Sequence, residues 1–149
     1  MLIPMHRMTI ATGLSGFSLL SRITELSEET VAAVADLNDA PHYLGLEALA
    51  QAGAYHVRFL CGFEKQAVLL MIRSCCLPAE ETLNGHYELE GHLRSRSASV
   101  FAYEMSAVTN GVKVLEGDFV FTAVSYNSEL REDILKKHYE KKLACLRNG

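Results

Sequence analysis

Pro41-His42-Tyr43-Leu44-Gly45-Leu46-Glu47-Ala48-Leu49-Ala50-Gln51-Ala52-Gly53-Ala54 decides the reading of this chain, because the long segments on either side of it look like strands and need an apolar body to close around. Helix-forming residues continue to about Phe59, which predicts a central helix of a length that spans a small domain. Gly45 and Gly53 lower its propensity, but with Ala48, Ala50, Ala52 and Ala54 they let other backbone approach closely on several sides. Pro41, with its fixed φ and missing N–H, suits the first turn, and Asn38 or Asp39 is placed to cap it. One carboxylate, Glu47, lies inside the run, with Gln51 one turn later and Tyr43 one turn earlier on the same face. Residue pattern alone favours these three as the solvated stripe of an amphipathic helix.

Working outward toward the N-terminus, Thr30 to Asp36 reads as a short strand, Ser27-Glu28-Glu29 as a turn, and Phe17 to Leu26 as a first strand with mediocre alternation. Met1 to Gly16 reads as an irregular lead, since Thr12-Gly13 and Ser15-Gly16 favour turns. Beyond the helix, Ala67 to Ile72 is continuously apolar, as expected of a strand covered on both faces. Leu83 to Arg94 alternates almost perfectly, with Leu83, Tyr87, Leu89 and Leu93 on one face and His86, Glu88, Glu90 and His92 on the other. Ala98 to Thr109 and Val112 to Ser125 flank Asn110-Gly111, the dipeptide of a type I′ hairpin turn. From Ser128 the period changes to that of a helix running to Arg147. Leu130, Ile134, Leu135, Tyr139, Leu143 and Leu146 form its apolar face, and its lysines are best read as a solvated one.

The chain has 149 residues, which suits one domain that buries about 68–70% of its unfolded surface. It is 49% hydrophobic and 21% charged, so disorder is poorly supported, and its net charge of -4 argues against general nucleic-acid binding. Cys61, Cys75, Cys76 and Cys145 have neither zinc-knuckle nor C-x-x-C spacing and read as reduced core thiols. Six histidines show no metal-ligand spacing, and neither a G-x-S-x-G elbow nor a phosphate-binding loop is present, so no metal or cofactor is expected. The start lacks a secretory pattern and no stretch is long enough to span a membrane, which makes the cytoplasm the expected compartment.

His42 lies five residues before Glu47, where an imidazole and a carboxylate can reach one pocket and do acid–base chemistry together. Position alone favours a plain exposed histidine at a helix start.

The order of strand, strand, central helix and four long antiparallel strands, with P-H-Y-L-G-L-E-A-L-A-Q-A-G-A opening the helix, resembles the hot-dog fold of the β-hydroxyacyl-acyl-carrier-protein dehydratases. It looks closest to their shorter, divergent branch linked to aryl-polyene-type clusters, over roughly Phe17 to Tyr126. The resemblance implies an α+β protein whose sheet wraps the helix, whose subunits pair to build sites from both chains, and whose substrate is an acyl-carrier-protein or coenzyme A thioester. Glu47 matches the carboxylate that handles the leaving hydroxyl, Gln51 its companion, and Pro41 the proline at the helix entrance. His42 stands where better-known members have a glycine whose N–H polarises the thioester carbonyl, a donor that any residue but proline supplies. Those members take their catalytic histidine from an H-F-P-G loop, in whose place this chain has Leu37-Asn38-Asp39-Ala40.

The resemblance therefore implies His42 and Glu47 as catalytic residues, with His42 taking the α-proton of a 3-hydroxyacyl thioester and Glu47 protonating the departing hydroxyl. Tyr43, Gly45 and Gln51 are implied as substrate contacts. Burial among leucines and alanines is expected to favour the protonated carboxyl that such a step uses. Two other readings stand beside it: an acyl-thioesterase in which Glu47 activates water, and a non-catalytic subunit that binds acyl chains or joins an active hot-dog partner in a hetero-oligomer.

Overall fold

Residues that alternate between apolar and polar through Thr30–Pro41, Thr82–Arg96, Val100–Thr109 and Val112–Val124 bury one face and wet the other, and an antiparallel sheet is the outcome. In the computed structural model, whose described residues are 18–126 and 132–148, that sheet has six strands. They are β1 (Arg22–Leu26), β2 (Thr30–Pro41), β3 (Gln66–Cys76), β4 (Thr82–Arg96), β5 (Val100–Thr109) and β6 (Val112–Val124), in the order β1-β2-β4-β5-β6-β3. Helix α1 (His42–Leu60) follows β2 and lies on the sheet, and α2 (Glu132–Asn148) closes the chain. Asn110 and Gly111 take φ of 52° and 75°, the two positive values a type I′ turn requires between β5 and β6.

Close approach of α1 to the sheet explains its two glycines. A Cβ on Gly45 would stand 2.5 Å from Leu115 Cδ1 and 2.6 Å from Leu83 Cδ1, and one on Gly53 would stand 2.6 Å from Phe121 Cζ. Phe101, Tyr103, Phe119 and Phe121 fill the space beneath, all essentially cut off from water.

Several expectations need correction. β1 starts only at Arg22, after Ser18 to Leu20 without regular structure, and Phe17 lies outside the described residues, as do the lead from Met1 to Gly16 and the expected helix start at Ser128 through Leu130. The side chains of Ile134 and Leu135 are likewise outside them. β2 runs on through Leu37 to Pro41 past a bulge, where Asp39 takes φ of 52° and its N–H donates to Asn84 Oδ1 at 2.7 Å. That bulge is why neither Asn38 nor Asp39 caps α1: Pro41 itself occupies the N-cap position, extended at φ -67° and ψ 159°, with no side-chain cap.

β3 is not covered on both faces. It ends the sheet, and Leu70 and Met71 are each 48% exposed. The cysteines are free thiols as expected but not core ones, since Cys75 and Cys76 lie exposed on that edge strand, Cys145 lies exposed on α2, and Cys61 is half-buried.

Helix α2 docks through Tyr139, Leu143 and Leu146, all buried. The Tyr139 ring meets Tyr55 edge-on at 5.9 Å and lies 3.9 Å from the Arg58 guanidinium carbon, while Lys136 pairs with Glu64 at 2.6 Å. Among the described residues no helix is long and apolar enough to cross a membrane.

Candidate active site

Helix α1 has two unlike sides. Gly45, Gly53 and His56 face the sheet, where the Tyr103 hydroxyl donates to His56 Nδ1 at 2.5 Å and His56 Nε2 donates to the Ser27 carbonyl at 2.7 Å. A carbonyl only accepts, so the neutral ring carries its proton on Nε2. Burial holds this imidazole below its ordinary pKa, against the pull of the Ser27 carbonyl.

The other side carries Glu47, Gln51, Tyr55 and Arg58, spaced at i, i+4, i+8 and i+11 as a single stripe. The expected solvated stripe thus has the right spacing and the wrong surroundings. Glu47 is 4% and Gln51 3% exposed, and only Tyr43, at 42%, remains wet. The segment Ser18 to Leu20 runs across the Glu47 end, and α2 covers the Arg58 end.

Within that covered stripe the Leu19 N–H donates to Gln51 Oε1 at 2.8 Å. The amide nitrogen is thereby turned toward Glu47 and donates to its Oε1 at 3.3 Å. Further along, Arg58 Nε donates to Gln66 Oε1 at 2.6 Å, and that oxygen also accepts from the Ala67 N–H at 3.0 Å.

His42 sits elsewhere. Its Nε2 donates to the main-chain carbonyl of Glu80, which ties the loop after β3 to the helix start, and in a neutral ring the lone pair is then on Nδ1. Five residues of helix turn through about 140°, so His42 and Glu47 of one chain point to different sides of α1. Gly45 is packed against Leu83 and Leu115, which leaves its main chain as the part able to meet a ligand. Pro41 supplies no side-chain cap, and the first amides of a helix have no intrahelical acceptor, an arrangement that suits a developing negative charge on oxygen.

Sequence reasoning missed His56, Arg58 and Gln66, all buried. The signal for Arg58 was present, since it continues the Glu47–Gln51 spacing by two more turns.

An antiparallel sheet wrapped on a long central helix in this strand order defines the hot-dog fold. Solved structures with the same architecture include the dehydratase heterocomplex ApeI:P from Xenorhabdus doucetiae, with a TM-score of 0.58 and 14% identity over 75% of this chain and 85% of that one. A thioesterase from Haemophilus influenzae gives 0.58 and 10% over 69% and 77%, and a mutant thioesterase from Pseudomonas aeruginosa gives 0.59 and 11% over 70% and 81%. No protein-family profile and no curated protein matches the sequence.

Proposed function

We propose that this chain is a 3-hydroxyacyl-thioester dehydratase acting on acyl-carrier-protein or coenzyme A thioesters. The observation that carries this reading is the buried Glu47–Gln51 pair on the central helix of a hot-dog fold, one turn beyond an uncapped helix start. A carboxyl group shielded from bulk water and held by an amide is suited to proton transfer onto a leaving oxygen. In the proposed step His42 Nδ1 takes the proton from C2 of the substrate. The C–H electrons form the C2–C3 double bond, and the hydroxyl on C3 leaves with a proton from Glu47, giving water and an enoyl thioester. The first amides of α1 hold the thioester oxygen while it carries enolate charge.

His42 and Glu47 of one chain diverge, so the pair is completed between two chains. The surface offered for that is edge strand β3, whose outer main-chain groups have no neighbouring strand among the described residues and whose Leu70 and Met71 are exposed. The ApeI:P structure, being a heterocomplex, supports a second hot-dog subunit as an alternative to a second copy.

Supplying 3-hydroxyacyl and saturated acyl thioesters to the purified chain tests the reading. Formation of an enoyl product that disappears in Glu47→Gln, with the fold intact, is the expected result. Unchanged turnover in that variant overturns it. The two thioesterase structures favour a second reading, in which Glu47 activates water; release of free thiol from the saturated substrate is its signature. The third reading, a non-catalytic partner subunit, draws on Leu37–Ala40 being built into β2 where the resemblance expects a histidine loop. It predicts no turnover alone and co-purification with another hot-dog protein.

A further inference from the structure

Leu19 donates its main-chain N–H to Gln51 from outside both the helix and the sheet, and its position is held from both directions. Its neighbour Leu20 is 6% exposed within the core. One residue further, the Ser21 N–H donates to the Val34 carbonyl at 2.8 Å and the Ser21 hydroxyl to Asp36 Oδ2 at 3.2 Å, which fastens the segment to β2. A glutamine amide can present either end to a neighbour, and in a buried site the choice is made by its other partner. Here Leu19, a donor, takes the oxygen, and the NH2 end meets Glu47. Were Leu19 unable to donate, the amide could turn over and set its oxygen against the carboxylate. Ser18 Oγ is buried with no hydrogen-bond partner among the described residues, a cost that argues against this crossing being laid down for stability alone.

We propose that Ser18–Leu20 is a strap whose Leu19 N–H sets the orientation of Gln51, making Gln51 the positioning residue for Glu47. This rests on the dehydratase reading only in assigning the reaction that Glu47 serves; the positioning itself is a statement about three residues.

The test has a catalytic and a non-catalytic arm. Leu19→Pro deletes the donor, and Leu19→Ala shortens the side chain while keeping it. With a 3-hydroxyacyl thioester, kcat of Leu19→Pro should fall at least about tenfold below that of Leu19→Ala, and Gln51→Leu should lose about 10–100-fold, with KM changed by less than about threefold. The double variant Leu19→Pro/Gln51→Leu should be no slower than the slower single one, because both remove one linkage. Additive losses overturn the proposal.

Independently of any substrate, the Leu19 amide should exchange its hydrogen slowly in the wild type, fast in Gln51→Leu, and slowly again in Gln51→Glu, which keeps an acceptor for Leu19 and loses the donor to Glu47. Fast exchange in the wild type, or exchange unchanged in Gln51→Leu, overturns the strap even if Leu19→Pro fails to fold. If no thioester is turned over while the exchange pattern holds, the dehydratase reading fails and the strap stands.

Discussion

Gln51 donates from Nε2 to Glu47 Oε1 across 3.3 Å, one turn of α1 apart, with both side chains shielded from water. Replacing Glu47 by glutamine keeps the volume and removes the proposed proton donor. We expect dehydration to fall by about 10²–10⁴-fold while circular dichroism and the melting curve stay close to wild type. Glu47→Leu instead deletes the buried hydrogen bond from Gln51 Nε2 to Glu47 Oε1, and should lower stability by about 1–3 kcal/mol in urea titrations. Full activity in Glu47→Gln would rule out its role as acid.

If two copies pair as proposed, the divergence of His42 and Glu47 about α1 predicts complementation between subunits. His42→Ala and Glu47→Gln homodimers should each be inactive. After unfolding and refolding the two together, random pairing should leave about a quarter of sites with both wild-type residues, and activity should recover to that level. Recovery of nothing, with mixed dimers shown to form, would place both groups within one chain or remove His42 from the reaction.

His56 predicts acid sensitivity of the fold. Burial lowers its folded-state pKa below the ordinary value of 6.5, so beneath that pH the unfolded chain binds a proton that the folded chain refuses. Stability contributed by this group is therefore complete above about pH 7.5. It declines on acidification by up to about 1.4 kcal/mol per pH unit until the folded-state pKa is reached. Urea midpoints measured from pH 8 to pH 5 should show this slope, and His56→Gln should flatten it.

Gly53 and Gly45 separate two kinds of close approach. Both would place a Cβ within 2.6 Å of a side-chain carbon, but Gly53 meets the Phe121 ring whereas Gly45 meets the tips of Leu83 and Leu115. Alanine gains about 1 kcal/mol of helix propensity at either site. The rigid ring should leave Gly53→Ala destabilised by about 1–3 kcal/mol, and the flexible leucines should leave Gly45→Ala closer to neutral. Thermal melts of the two variants check the order.

Much of the architecture was legible in the residues. Alternation across Leu83–Arg94 named the inward face of β4, Asn110-Gly111 named the hairpin, and the alanine-rich run after Pro41 named the central helix. These are local facts: they follow from side-chain period and from which residues tolerate a given φ. Leu70 and Met71 were misjudged for the opposite reason. A continuous apolar run says that a strand wants cover and not that its own chain supplies it. The cysteines failed similarly, since chemistry alone does not place a thiol on an edge strand.

By itself the sequence determined that Glu47, Gln51, Tyr55 and Arg58 share one side of a helix, because 3.6 residues per turn admits no other arrangement. Only the tertiary structure decided that this side is dry. Its cover comes from Leu19 and Tyr139, residues far away along the chain on either side, and the same packing turned Gln51 toward Glu47 and His42 toward Glu80. Helical periodicity is set by neighbours in sequence, whereas burial is set by whichever distant segment comes to rest on top.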